Sequence, residues 1–447
     1  MAETHDAYAA LRLPDYRRLL SGAVLASLGA EMLHVAIGWE LYQRTNDAMA
    51  LAYAGLAQFL PVLLLALPAG SAADRFSRKH LLVAAQALLA LAAVGLAALS
   101  FWEGPVAFIY VCLVLIGTSR AFSAPARQSL VPQVVPLDLL PNAIAWNSTG
   151  WQLATIGGPA IGGLVLSWFI PAAAYVLAAT MALICIAMVA GIRPRPFERP
   201  LGAASLAGLL AGVKFVWRTK PILATMSLDL FAVLLGGATS LLPIYARDIL
   251  GVGPWGFGWL RAAPALGAVV MALALAHSRP FERPGRAMLA AVAGFGGATI
   301  VFGLSEMFWL SFLMLCCIGA LDNISVVIRG TLVQTLTPDA MRGRVAAVNI
   351  VFISSSNELG AFESGLVAAL AGPVASVVVG GTGSILVVLI VATLWPQMWR
   401  LGRLHPKVAA RVDELPAPRV DVCSATGDPP APTPGAALDG QGCAPLK

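Results

Sequence analysis

Charge is what this sequence has least of. Of its 447 residues only 12% are charged, while 58% are hydrophobic, and the mean hydropathy is +0.80. A soluble domain carries about 25% charged residues. A chain this apolar cannot keep a wettable exterior, which excludes an ordinary cytosolic enzyme, a nucleic-acid-binding domain and a disordered chain. Cysteine is also scarce. None of the six forms a C-x-x-C pair or lies beside a His cluster, so neither a zinc site nor a disulfide framework is suggested. The five His are scattered, and no Ser/His/Asp constellation appears. There is no Walker lysine motif, and the Gly-rich stretch 251–258 leads into an apolar run with no strand before it; ATP and dinucleotides are therefore not expected. The expectation is a non-enzyme with no cofactor and no metal.

Long apolar runs fill the space that charge leaves. A hydrocarbon core of about 30 Å needs roughly 20 apolar residues of helix. Twelve segments qualify, at 19–42, 51–73, 81–101, 105–122, 141–169, 172–191, 221–246, 255–277, 287–305, 307–328, 341–370 and 374–400. The first is too long for a signal peptide and carries Glu31 and Glu40. The longest connector, 192–220, contains a stretch at 203–218 that reads as an amphipathic helix lying at the membrane interface. The tail, 401–447, is rich in Pro, Gly, Ala and Asp without apolar periodicity and is expected to be disordered. Basic residues orient the chain. With the N-terminus inside and twelve spans, every one of the 29 Lys and Arg except Arg44, Arg247 and the intramembrane Arg261 falls on the cytoplasmic side. That bias predicts both termini in the cytoplasm.

The chain also repeats itself. Arg127-Gln-Ser-Leu-Val-Pro-Gln-Val-Val-Pro136 matches Arg329-Gly-Thr-Leu-Val-Gln-Thr-Leu-Thr-Pro338, and the match continues to Asn147 against Asn349. Tyr42-Gln-Arg44 matches Tyr245-Ala-Arg247, and Pro61 matches Pro264. An even number of spans separates the copies, so the halves share one orientation. This predicts an all-α membrane protein of twelve transmembrane helices, built as two six-helix halves in parallel duplication. The N-terminal half would be 1–191, the linker 192–220 and the C-terminal half 221–400. Such repeats place a substrate cavity between the halves near the midplane.

Three motifs carry a resemblance. After the second span comes Gly70-Ser-Ala-Ala-Asp74-Arg75-Phe-Ser-Arg78-Lys79. Span five holds Gly157-Gly158-Pro159-Ala-Ile-Gly162-Gly163. Span four ends in Arg120-Ala-Phe-Ser-Ala-Pro-Ala-Arg127-Gln-Ser-Leu-Val-Pro132, followed by Leu140-Pro-Asn-Ala-Ile-Ala-Trp-Asn-Ser148. The first resembles the G-x-x-x-D-R-x-x-R-K loop of the major facilitator superfamily, with Ser77 where Gly is usual. The second is similar to the G-P-x-x-G-G motif of proton-coupled antiporters, with Ala154 where an upstream Gly is common. The third, with Asp15-Tyr-Arg-Arg-Leu-Leu20 and Trp39-Glu-Leu-Tyr-Gln-Arg44, looks like the enterobactin-exporter-like branch. The resemblance covers residues 15–400. It implies that Gly70, Asp74, Arg75, Arg78 and Lys79 form a cytoplasmic gate whose partner is the start of span eleven at 337–341. It implies too that Gly158, Pro159, Gly162 and Gly163 serve antiport.

Ionisable residues inside spans are costly and point to a pathway. They are Glu31, Asp229, Arg261, Asp322, Glu358 and Glu363. In the resembled superfamily, spans one, four, seven and ten line the cavity. Glu31 is the leading proton-coupling candidate, with Asp229, Asp322 and Glu358 beside it; Asp229 and Asp322 could instead pair with Arg261, Arg120 or a cationic substrate. A carboxyl in a low-dielectric cavity can load and release protons near neutral pH. Arg261, Gln58, Phe59, Asn147 and Asn357 are candidates for the substrate cavity. Arg120 and Arg127 suggest headgroup contact or gate closure. Glu40 and Glu306 fall near the outer surface, where water would solvate them.

The reading is a secondary active transporter in a bacterial plasma membrane. It would export a siderophore-like, drug-like or other amphiphilic small molecule by alternating access, in exchange for protons. A facilitator working as importer or uniporter is the alternative, and a transporter-like receptor or scaffold is a further one. The expected partners are the substrate, protons and the bilayer, with a monomer as the working unit and no nucleic acid.

Overall fold

A computed structural model describes residues 6, 8–195, 206–278, 281–338 and 341–400; the tail expected to be disordered lies outside them. The described residues form helices and no strands. Those longer than five residues are, in order, α1 (Pro14–Thr45), α2 (Ala48–Arg75), α3 (Arg78–Phe101), α4 (Val106–Val134), α5 (Leu140–Trp168), α6 (Pro171–Ala190), the short α7 (Leu206–Arg218), α8 (Lys220–Leu235), α9 (Gly253–Ala276), α10 (Pro284–Leu304), α11 (Phe308–Leu336), α12 (Arg342–Ala371) and α13 (Pro373–Leu394). Local chemistry sets their ends. The Asp47 side chain accepts the Met49 backbone N–H at 2.9 Å and caps α2. Pro opens α1, α6, α10 and α13, where its missing N–H costs nothing. Gly372, at φ 89°, makes the turn between α12 and α13.

Ten of these segments are long and apolar enough to cross a membrane. The other two long helices, α5 and α12, carry Asn147, Ser148 and Gln152, and Ser355, Asn357 and Glu358, which lower their hydropathy. They are also the helices that meet the opposite half. α5 packs against α9, and α12 packs against α2.

The internal repeat is built into the packing. In the first half α1 packs on α5 and α6, α2 on α4, and α3 on α4 and α6. In the second, α8 packs on α12 and α13, α9 on α11, and α10 on α11 and α13. Each pairing recurs one half later. The glycines that allow the closest approaches recur as well: Gly117 of α4 lies against the Gln58 backbone of α2, and Gly319 of α11 lies against the Pro264 backbone of α9.

The halves are joined at one end only. Where α1 finishes, a single hydrophobic core runs through both, from Leu33, Leu41 and Leu113 to Leu241, Phe257 and Phe302. Where α1 begins, each half keeps its own core. One is built around Tyr16, Leu130 and Ile192, the other around Ile222, Met288 and Leu332.

Three observations differ from the sequence reading. First, α4 runs to Val134 through Pro125 and Pro132, well past the expected 122, because its last turns leave the hydrocarbon yet stay packed on the first-half core. Second, the seventh span is broken. α8 stops at Leu235, Gly236 and Gly237 follow, and a 3-10 turn (Ala238–Leu241) and a π turn (Tyr245–Ile249) complete the crossing. Gly237 lies so close to the Gly360 carbonyl of α12 that a side chain there would collide. Third, α7 is more than an interfacial helix. Val216 is buried in the second-half core, and Gly212 sits against the Arg344 carbonyl, while Leu210 and Trp217 stay exposed.

Candidate transport site

Ionisable side chains from four helices, and an amide from a fifth, meet near the middle of the bundle. Glu31 on α1 places Oε2 3.8 Å from His34 Nδ1. The other ring nitrogen of His34 lies 3.2 Å from Gln58 Oε1 on α2. Arg120 on α4 reaches across to the second half, with Nη1 3.4 Å from Glu358 Oε1 on α12. Arg261 on α9 donates to the Thr239 carbonyl at 3.2 Å; that carbonyl is freed by the break after α8. Both arginines lie within electrostatic reach of Glu31. The group therefore holds two acids, two guanidiniums, an imidazole and an amide, drawn from both halves.

The glycines of span five explain why Glu31 can sit where it does. Gly158 packs directly on Glu31 and on the Leu28 carbonyl, and Gly162 packs on Met32 and Val35. A side chain at Gly158 would push α5 off α1 at the acid. Gly163 faces the other way. It meets Gly258 and the Pro254 carbonyl of α9, while the Pro159 carbonyl meets Gly258. One short motif thus holds α5 against both α1 and the second half.

The remaining predicted residues fall elsewhere. Asp229 is buried and ion-paired with buried Arg329 of α11, and Ser325 Oγ donates to it at 3.3 Å. Neither Arg261 nor Arg120 takes that role. Asp322 is partly buried on α11 and makes no ion pair among the described residues; it is not brought into the central group. Phe59 is only 6% exposed and belongs to the packing. Asn357 donates to the Ile353 carbonyl at 2.8 Å. Asn147 lines a cavity of about 290 Å³ between α1, α4 and α5, at the end where α1 begins. Of the gate motif, Gly70 is open, Arg75 is exposed, and Lys79 donates to the Ala190 and Ile192 carbonyls at 2.6 and 2.9 Å, closing the end of α6. The Asp74 side chain and residues 339–340 lie outside the described set.

The sequence model described as transmembrane secretion effector matches residues 5–423. The chain belongs to this family of major facilitators. It is 27% identical over 423 residues to the enterobactin exporter EntS of Escherichia coli O1:K1, covering 92% of this chain and 97% of that one. The same figures hold for EntS of Shigella boydii serotype 18. Among solved structures, a bacterial homolog of the human lysosomal transporter Spinster, inward-facing and occupied, aligns with a TM-score of 0.66 at 16% identity, covering 89% of this chain and 98% of that one. The nucleoside transporter NupG aligns with a TM-score of 0.66 at 12% identity, covering 85% and 99%. The fold is that of the major facilitators, and the chain is a membrane transporter rather than an enzyme.

Sequence reasoning missed several residues of this transporter. His34 is one, although it lies three positions after Glu31 on the same helical face. Arg329, which the sequence marks as a cytoplasmic charge and a repeat position, is in fact buried against Asp229. Glu40 was expected in water, yet it is 3% exposed and paired with Arg44 at 2.6 Å; Arg44 also closes the end of α3 through the Leu99 and Gly104 carbonyls. Glu306 is exposed as expected.

Proposed function

We propose that this transporter exports an amphiphilic, siderophore-like small molecule by alternating access, in exchange for protons, with Glu31 as the proton carrier. The observation that supports the reading is the charged group drawn from four helices of both halves, with Glu31 packed beneath Gly158 of the antiporter-like motif. A proton on Glu31 removes its attraction to Arg120, Arg261 and His34. Those groups come from both halves, so the proton changes how strongly the halves hold together. A ligand or proton shifts a two-state equilibrium only through such a difference between the states.

The basic-residue bias supports a plasma-membrane chain with both ends in the cytoplasm and its halves divided at the 192–220 linker; the working unit would be a monomer. In that orientation the joined end is the outer one, and the state described is open to the cytoplasm. Enterobactin is the natural first cargo to test, since the exporters of that name match almost end to end. In proteoliposomes, wild-type protein is expected to move enterobactin against its gradient when a pH gradient is imposed. Glu31→Gln is expected to keep downhill exchange and lose the pH-driven part. Normal pH-driven accumulation by that variant would remove Glu31 from the coupling role.

A further inference from the structure

The repeat relates two arginines that the halves treat differently. Arg127 and Arg329 are equivalent, and the same spacing relates Ser27 to Asp229. In the second half, Arg329 is buried and neutralised by Asp229. In the first half, half-buried Arg127 has a neutral hydroxyl where Arg329 has an acid, with Nη1 3.3 Å from Ser27 Oγ. No acid pairs with it among the described residues. A hydroxyl cannot balance a guanidinium's charge, so Arg127 leaves a half-buried positive charge that an anion could pair with.

The space for that anion is present. Ser27 and Arg127 line the cavity between α1, α4 and α5, together with Gln128, Asn147, Ser148 and Trp151. On α5, Trp151 follows Ser148 by three residues and Asn147 by four, which places it on the same helix face as each of them. The lining therefore offers one cation, two amides, two hydroxyls and an indole that is 49% exposed. The second half has filled the corresponding position with its own carboxylate.

We propose that this cavity binds a single anionic group, a carboxylate or acidic phenol, carried on an aromatic body. Arg127 holds the anion, the amides and Ser148 orient it, and Trp151 stacks on the body. Where this rests on the export reading, the cavity is the cargo's first docking point from the open end. The binding itself does not depend on coupling.

Calorimetry on the full-length protein in phosphatidylcholine nanodiscs tests it, with naphthoate and its neutral amide as probes. A charge-assisted hydrogen bond should favour naphthoate about tenfold. Arg127→Gln should abolish the preference. Ser27→Asp should abolish it too, by installing the acid that the second half already has, and it leaves Arg127 in place should the first variant fail to fold. An unchanged preference in folded Ser27→Asp protein, or no preference in the wild type, overturns the proposal. Loss of wild-type preference on adding phosphatidylglycerol would assign the cavity to a lipid headgroup, which also overturns it. Naphthoate binding without pH-driven export would instead count against the export reading alone.

Discussion

Arg120 and Glu358 stand 3.4 Å apart although 238 positions separate them and each belongs to a different half. They form a bridge between the halves near the level of Glu31. The arginine is half in water, with 53% of its side chain exposed against 22% for the acid. A pair that wet contributes less than about 1 kcal/mol to stability. Its consequence should therefore be conformational. Glu358→Gln is expected to leave expression and melting temperature near wild type while reducing transport severalfold. The charge-reversed double variant, Arg120→Glu with Glu358→Arg, should recover part of the rate. A double variant no better than the worse single one would show that the bridge is not what matters.

Gly158 offers a sharper test, because its neighbour is a built-in control. A β-carbon at Gly158 would meet Glu31 and come within 3.0 Å of the Leu28 carbonyl, whereas one at Gly157 would find only a Leu28 methyl at 4.0 Å. Gly158→Ala should cost about 1–3 kcal/mol through overpacking and displace α5 from the acid. Gly157→Ala should be close to neutral. Thermal melts and transport rates of the two variants check this, and equal behaviour would mean that the close approach is not needed.

The span positions were legible because apolar length leaves little choice once a membrane is the solvent. α5 was expected at 141–169 and runs Leu140–Trp168; α12 was expected at 341–370 and runs Arg342–Ala371. The repeat was legible as well, and it foretold that Arg127 and Arg329 occupy equivalent places. Which acid each arginine meets was not legible, since partners on different helices depend on packing. Arg329 finds Asp229, and Arg120 finds Glu358. Helix ends beyond the hydrocarbon were hard to read for the same reason, as α4 shows. Glu40 was misjudged because position along a span was weighed above Arg44, one turn later on the same face.

The buried pair of Asp229 and Arg329 separates a coupling role from a structural one. Asp229→Asn leaves a buried guanidinium without its counter-charge, which should cost about 3–5 kcal/mol. Replacing both with apolar residues of similar size, Asp229→Leu with Arg329→Met, should restore most of that stability. Melting temperatures would show the difference. If the stable double variant still transports with pH coupling, Asp229 serves the fold; if it folds and is uncoupled, Asp229 joins Glu31 in the mechanism.

The joined end should be held by specific ties as well as by its shared core. Tyr42 donates to Asp248, Arg247 donates to Asn46 Oδ1 at 2.8 Å, and the Arg247 guanidinium lies 5.6 Å from the centre of the Tyr42 ring. All four residues lie where α1 and the π turn finish, and each contact links one half to the other. A hydrogen bond of this kind contributes about 0.5–1.5 kcal/mol. Removing both, with Asp248→Ala and Arg247→Ala, should raise the population opened at this end about tenfold. Nitroxide labels at Glu103 and Glu306, which are exposed at this end in opposite halves, would report it. In a cysteine-free background the label separation should gain a longer component in the double variant. An unchanged distance distribution would show that the hydrophobic core alone keeps this end shut.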